Sequence, residues 1–177
     1  FAQKDWYALN SSGQRIHYYT GRYMTCWKHP AWIAHLEEVV RSALQTGADG
    51  IFFDNPWYGG QLLNLGGLWM GSAGCYCPRC QQAYQNHAGQ PIPTTFHAIK
   101  PEQASYIQWR AAQVTELLAR LAAYARKLNP QVVISINDFD SVMRPAQLVY
   151  GIDLPVLARV QDVVMIEDFG LPAYQPG

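Results

Sequence analysis

Gly47-Ala48-Asp49-Gly50-Ile51-Phe52-Phe53-Asp54-Asn55 is the stretch on which the fold turns. A glycine stop, a short apolar run on both side-chain parities, then an acid and an amide describe a strand covered on both faces that ends in a polar turn. A helix leads into it. From Pro30 to Thr46 the residues Trp32, Ile33, Leu36, Val39, Val40, Ala43 and Leu44 recur at the three-and-four spacing of one buried helical face. Pro30 suits the first helical turn and Gly47 the position just past the end.

The same unit is written again further on. Residues 102–128 place Ile107, Ala111, Val114, Leu117, Leu118, Leu121, Ala125 and Leu128 on one helical stripe, and Asn129-Pro130 ends it. A strand over Val132–Ile136 follows and ends in Asn137-Asp138. A shorter helix around Leu154 to Arg159 leads to a third strand, Val163–Ile166, which ends in Glu167-Asp168. Arg15 to Tyr19 is an earlier strand candidate. Strand and helix in alternation mean an α/β fold with a parallel sheet. About four strands cannot close a barrel that needs eight, so the expectation is a segment of a (β/α)8 TIM barrel rather than an open doubly wound sheet.

In such folds the carboxyl ends of strands carry the chemistry. Asp54, Asn55, Asn137, Asp138, Glu167 and Asp168 all fall there. Asp and Asn also make ordinary turns, but three polar strand ends in a row point to a polar cleft. Trp57 and Tyr58 follow the first of them directly, and Trp69 and Tyr76 lie in the same long loop. Arg110, on a helix beside Trp109, reads as one half of a structural ion pair.

The whole chain narrows the possibilities. At 177 residues, with 49% hydrophobic and only 15% charged residues, it suits one domain with a real core and not a disordered segment. Thirteen basic residues against thirteen acidic ones argue against a nucleic-acid module, whose footprint is normally a basic face. Apolar runs of about five residues fall far short of the ~20 that span a bilayer. No signal-peptide pattern stands at the start, and the chain reads as a piece of something longer, leaving a cytoplasmic or a secreted setting open.

Four cysteines supply the sharpest motif. Cys26 stands alone, and Cys75, Cys77 and Cys80 crowd into Cys75-Tyr76-Cys77-Pro78-Arg79-Cys80. Zinc takes four thiolates in a tetrahedron, and one loop with a turn-forming proline can supply three of them. Two disulfides or free buried thiols are the competing readings, yet Cys75 and Cys77 sit too close to bridge comfortably. A structural Zn²⁺ is therefore expected on Cys26, Cys75, Cys77 and Cys80, with Lys28 and Arg79 beside it to offset the formal charge. His29 is a weaker ligand candidate near Cys26. The five histidines show no ligand spacing, no nucleophile turn marks a catalytic triad, and the glycine pairs lack phosphate-loop partners. The glycine-rich stretches after Asn55 read as an irregular active-site loop.

Taken together, a lone Cys26, Pro30 opening a helix, a strand ending in Asp54-Asn55 and the three-cysteine loop resemble the barrel of family 42 β-galactosidases and related glycoside hydrolases. In that family a lone Cys and a later C-x-C-x2-C loop bind zinc in the same chain order. The resemblance covers Cys26 to Tyr84 by motif and continues more loosely through Trp109-Arg110 and residues 129–138 and 150–168. It implies a partial barrel over residues 1–177, a carbohydrate substrate, and a partner that is either the rest of the barrel or a second copy. One departure matters. The β-galactosidases end this strand in Asp-Asn-Glu, with the Glu as acid/base, whereas this chain has Asp54-Asn55-Pro56. Proline transfers no proton, so the role is lost or has moved. By analogy with other sugar-cleaving barrels, Asp54 becomes the nucleophile or ion-pair stabiliser and Glu167 the acid/base. Asn55, Trp57, Tyr58, Asn137 and Asp138 then contact the sugar. A barrel of this kind that binds carbohydrate without cleaving it is the alternative.

Overall fold

The computed structural model of the chain describes residues 5–19, 21–58, 62–65, 68–71, 73–95, 101–139 and 146–167. It opens with an antiparallel hairpin, β1 (His17–Tyr19) and β2 (Arg22–Tyr23), turned at Gly21 with φ 76°. The helix α1 (Pro30–Gln45) then delivers the chain to β3 (Gly50–Phe53). A second hairpin follows, β4 (Leu62–Leu65) with β5 (Leu68–Gly71), and then α2 (Pro78–Ala88). The long α3 (Pro101–Leu128) leads into β6 (Val133–Phe139). Two single-turn helices, α4 (Ala146–Val149) and α5 (Leu154–Leu157), precede β7 (Val163–Glu167).

Among the described residues β3, β6 and β7 form one parallel sheet in that order, each strand beside its successor. This succession of parallel strands is that of a TIM-barrel segment. The strand expected at Arg15–Tyr19 exists in part but belongs to the first hairpin, so the parallel sheet has three strands here, not about four. Its alternating residues satisfy a hairpin as readily as a barrel, and the glycine turn at once returns the chain on itself.

Period-two alternation sorts the sheet into two faces. Ile51, Phe53, Ile134 and Ile136 point to one side, and Ile134 and Ile136 are fully buried there. Ile134 packs with Val40 of α1 and with Ala122 and Ala125 of α3, whose small side chains let the helix approach closely. Phe52, Val133, Val163 and Met165 point the other way and stay about half exposed. The expectation of strands covered on both faces therefore holds only for the helix side of β3 and β6, since Val164 and Ile166 on that side of β7 are about half exposed as well. Asp54, Asn137 and Glu167 belong to the open side.

Helix ends follow local chemistry. Pro30 and Pro78 each open a helix, where a missing N–H costs nothing. Gly89 closes α2 in the left-handed conformation at φ 69°. In α3, Glu102 sits in the first turn and Arg126 and Lys127 in the last, matching the helix dipole. Before β7, Asp162 accepts the Ile134 N–H at 2.8 Å, and the Gln161 carboxamide oxygen accepts the Ile136 N–H at 2.9 Å. Two side chains thus extend the β6 ladder into the turn.

Candidate active site and metal centre

Strand register brings the polar strand ends together. Phe53 pairs with Ile136, which sets Asp54 beside Asn137, and Asn137 pairs with Met165, two residues before Glu167. The Asn137 Nδ2 donates to Asp54 Oδ1 at 2.9 Å and to Glu167 Oε2 at 2.9 Å. The other Asp54 oxygen accepts from Asn55 Nδ2 at 2.9 Å. Asn55 adopts φ 49°, a left-handed conformation that Asn tolerates better than bulkier residues, and turns the chain sharply away from the strand. Asn137 is only 5% exposed, whereas Asp54 stands open to solvent. The Asn137 Oδ1 is buried without a hydrogen-bond partner among the described residues.

Asp138 points the other way, since successive strand residues face opposite sides. It is fully buried, and Gln161 Nε2 donates to its Oδ2 at 2.5 Å. Burial pushes its carboxyl up to about 6, partly countered by the Gln161 hydrogen bond. Trp57 is 6% exposed and packs with Phe139 and Tyr150 at ring separations of 5.3 and 5.4 Å. Tyr58 is fully buried, and its hydroxyl donates to Cys80 Sγ at 2.9 Å. Asn55, Asn137, Asp54 and Glu167 therefore gather at one place, while Trp57, Tyr58 and Asp138 are buried, Trp57 against Phe139 of the same sheet face and Asp138 on the opposite face. Asp168 and the side chain of Trp69 lie outside the described residues.

Beside Asp54 and Asn55 runs a cleft of about 350 Å³, walled by Tyr23, Trp27, Trp32 and Phe53. Sequence reading missed Tyr23, Trp27 and Trp32. They precede Asp54 by more than twenty residues, Tyr23 in the first hairpin and Trp32 on α1, and only the tertiary fold brings them to it. Arg110 has a further role. Beyond any ion pair, its fully buried guanidinium donates to the main-chain carbonyls of Tyr58 at 3.2 Å, Leu148 at 3.0 Å and Val149 at 3.4 Å. It ties the segment after β3 to the segment after β6.

The four cysteines converge. Their sulfurs all lie within 4.8 Å of one another, with Cys26 Sγ 3.4 Å from Cys77 Sγ and 3.6 Å from Cys80 Sγ. Disulfide sulfurs sit at about 2.05 Å, so these are free thiols. A tetrahedron with metal–sulfur bonds of ~2.3 Å has edges of about 3.8 Å, which the observed separations approach. All four residues are buried, as a closed structural site requires. Cys77 caps α2 and Cys80 lies in its first turn, where the helix dipole favours anionic sulfur. Hydrogen bonding with Cys26 is the largest influence holding the Cys77 thiol down, and hydrogen bonding with Cys26 likewise pushes Cys80 up. These four residues could hold a metal ion. Lys28 and Arg79 are turned elsewhere, to Glu116 at 3.4 Å and Asp5 at 4.0 Å. His29 Nε2 contacts Asp5 Oδ2 at 2.8 Å, and the cluster comprises cysteines alone.

No family model and no curated protein matches this chain. Solved structures do. The glycoside hydrolase domain of PgaB (BpsB) from Bordetella bronchiseptica aligns with a TM-score of 0.60 at 16% identity, covering 86% of this chain and 43% of that one. A catalytic mutant of Gan42B, a GH42 β-galactosidase from G. stearothermophilus, aligns with a TM-score of 0.60 at 13% identity, covering 99% of this chain and 28% of that one. The fold is glycoside hydrolase-like. The chain spans less than half the length of either neighbour, and the likeness is one of fold. Among the described residues no helix is long and apolar enough to cross a membrane.

Proposed function

We propose that the chain is part of a barrel that hydrolyses an O-glycosidic bond of an oligo- or polysaccharide, with Asp54 as nucleophile or ion-pair stabiliser and Glu167 as acid/base. One observation carries the reading: both carboxylates bond the same Asn137 nitrogen. Two bonds of 2.9 Å limit their oxygens to a separation of about 5.8 Å. Retaining glycosidases hold their carboxyl groups ~5–5.5 Å apart and inverting ones ~6.5–9.5 Å, so the spacing supports retention. Asp54 attacks the anomeric carbon while Glu167 protonates the leaving oxygen, and Glu167 then takes a proton from the water that releases the sugar. Asn55 and Asn137 orient Asp54. The aromatic cleft beside it offers faces on which sugar rings stack.

The metal we propose for Cys26, Cys75, Cys77 and Cys80 is a structural Zn²⁺, closed by four sulfurs and taking no part in bond cleavage. The open side of the sheet and the exposed β7 side chains fit further barrel strands, supplied by the same polypeptide or by a second copy.

The test is turnover of a glycoside panel by wild type, Asp54→Asn and Glu167→Gln, with the product anomer read by NMR. Wild type is expected to release product with retained configuration, and each variant to lose about 10²–10⁴-fold in kcat. Saccharide binding without turnover in wild type would instead identify an inactive carbohydrate-binding barrel, the reading that Pro56 in the acid/base position favours. Equal rates in all three proteins would remove Asp54 and Glu167 from the chemistry.

A further inference from the structure

Tyr58 is clamped at both ends. Its hydroxyl donates to Cys80 Sγ at 2.9 Å, and its main-chain carbonyl accepts from Arg110 Nε at 3.2 Å. Between these points the ring is fully buried, edge-on to Trp27 at 6.2 Å and to Trp109 at 6.0 Å. No solvent reaches the hydroxyl, so its donation to sulfur replaces the hydration lost on burial. The residue stands four positions past Asp54, at the end of the turn that Asn55 and Pro56 begin.

We propose that Tyr58 is the outer donor of the cysteine metal centre and the strut through which that centre holds the Asp54 turn. The inference rests on the reading of the four cysteines as a metal site, and goes beyond it by assigning Tyr58 a role in metal retention. Four thiolates around a divalent ion leave a formal charge of minus two in a buried place. A hydrogen bond to one sulfur spreads that charge and fixes the sulfur's lone pairs toward the ion, as outer-shell donors do at metal sites generally. The same bond fixes the far end of a short segment whose near end is the β3 strand. Loss of the metal would free Cys80, and with it the anchor of residues 54–58.

The experiment uses the full chain loaded with zinc. Zinc affinity is measured by competition with a chromogenic chelator for wild type, Tyr58→Phe and Tyr84→Phe. Tyr84 is also fully buried in the same core, but its hydroxyl faces the Glu102 carbonyl at 3.5 Å rather than a sulfur. Tyr58→Phe is expected to weaken zinc binding about 10–100-fold, with Tyr84→Phe close to wild type. Amide exchange over residues 53–58 is followed alongside. It should rise in wild type on chelation, and in Tyr58→Phe already with zinc bound. Unchanged affinity in Tyr58→Phe, or an equal loss in Tyr84→Phe, overturns the role of the hydroxyl while leaving the metal site standing. A wild type that takes up no zinc overturns the metal site itself. If Tyr58→Phe does not fold, the wild-type exchange comparison still decides, because unchanged protection of residues 53–58 on chelation overturns the strut.

Discussion

Asp54 and Asn137 sit side by side on neighbouring parallel strands, carboxylate Oδ1 2.9 Å from carboxamide Nδ2. The amide group has two hydrogens, and the second goes to Glu167. One donor nitrogen thus bridges the two carboxyl groups. Asn137→Ala removes the donor and should cut glycoside turnover by at least about tenfold, in line with the loss of a positioning hydrogen bond to a charged group. Asn137→Asp replaces the donor with a third carboxylate, and like charge disfavours ionisation of its neighbours. The acid limb of the pH–rate profile should then move to higher pH. An unmoved profile in Asn137→Asp would show that Asn137 does not face the reacting groups.

The cysteine cluster makes a prediction that needs no substrate. With metal bound, the four buried sulfurs should resist a thiol reagent, and chelation should release four reactive thiols per chain. Cys26→Ser is the most informative variant, because Cys26 lies far from the others in sequence and its ligation ties the segment before α1 to the start of α2. It should lower metal affinity and thermal stability together. Thiols that react fully before chelation would exclude a closed four-sulfur site.

Much of this arrangement was legible in the chain. The units α1–β3 and α3–β6 were readable because an amphipathic period, a stop signal and a short apolar run follow one another twice. The three-cysteine spacing pointed to a cluster, and Cys26 does converge with it. The helix α2 was missed although Pro78 and Gly89 frame it as Pro30 and Gly47 frame α1. Its apolar stripe is weaker, with Cys80 and Tyr84 its buried residues. Adjacent residues on one strand cannot share a face, so Asn137 and Asp138 could have been separated from the alternation alone. The interior positions of Trp57 and Tyr58 had no local signal. They depend on Phe139, Tyr150 and Cys80, more than twenty residues away, and loop aromatics look alike whether they line a cleft or fill a core.

Gly74 shows how tightly the core behind the cysteines is filled. A Cβ at this position would overlap the hydroxyl of the fully buried Tyr106. Gly74→Ala should therefore destabilise the fold by about 1–3 kcal/mol, the usual penalty for overpacking. Chemical denaturation of Gly74→Ala, Tyr106→Phe and the double variant measures the coupling. Removing the hydroxyl should recover part of the loss, and strictly additive single effects would mean that the two positions do not collide.

Asp138 should impose a pH dependence on stability that runs opposite to that of ordinary carboxylates. Burial raises its carboxyl to about 6 in the fold, against the usual value of 3.8. Between these two values the folded chain binds the proton and the unfolded chain does not. Its contribution to stability is therefore complete below about pH 4 and is lost as pH rises through 6. A shift of roughly two units corresponds to about 3 kcal/mol. Asp162 works in the other sense. The Ile134 N–H and then Arg126 hold its carboxyl below the usual range, so its contribution is lost as pH falls. A bare wild-type profile mixes the two. Asp138→Asn isolates one of them, because it removes the titrating group and leaves an acceptor for Gln161. Urea unfolding of wild type and Asp138→Asn at pH 4, 5, 6 and 7 should show the variant gaining on wild type as pH rises, with most of the gain between pH 4 and 6. A constant difference across that range would mean that Asp138 is ionised in the fold throughout.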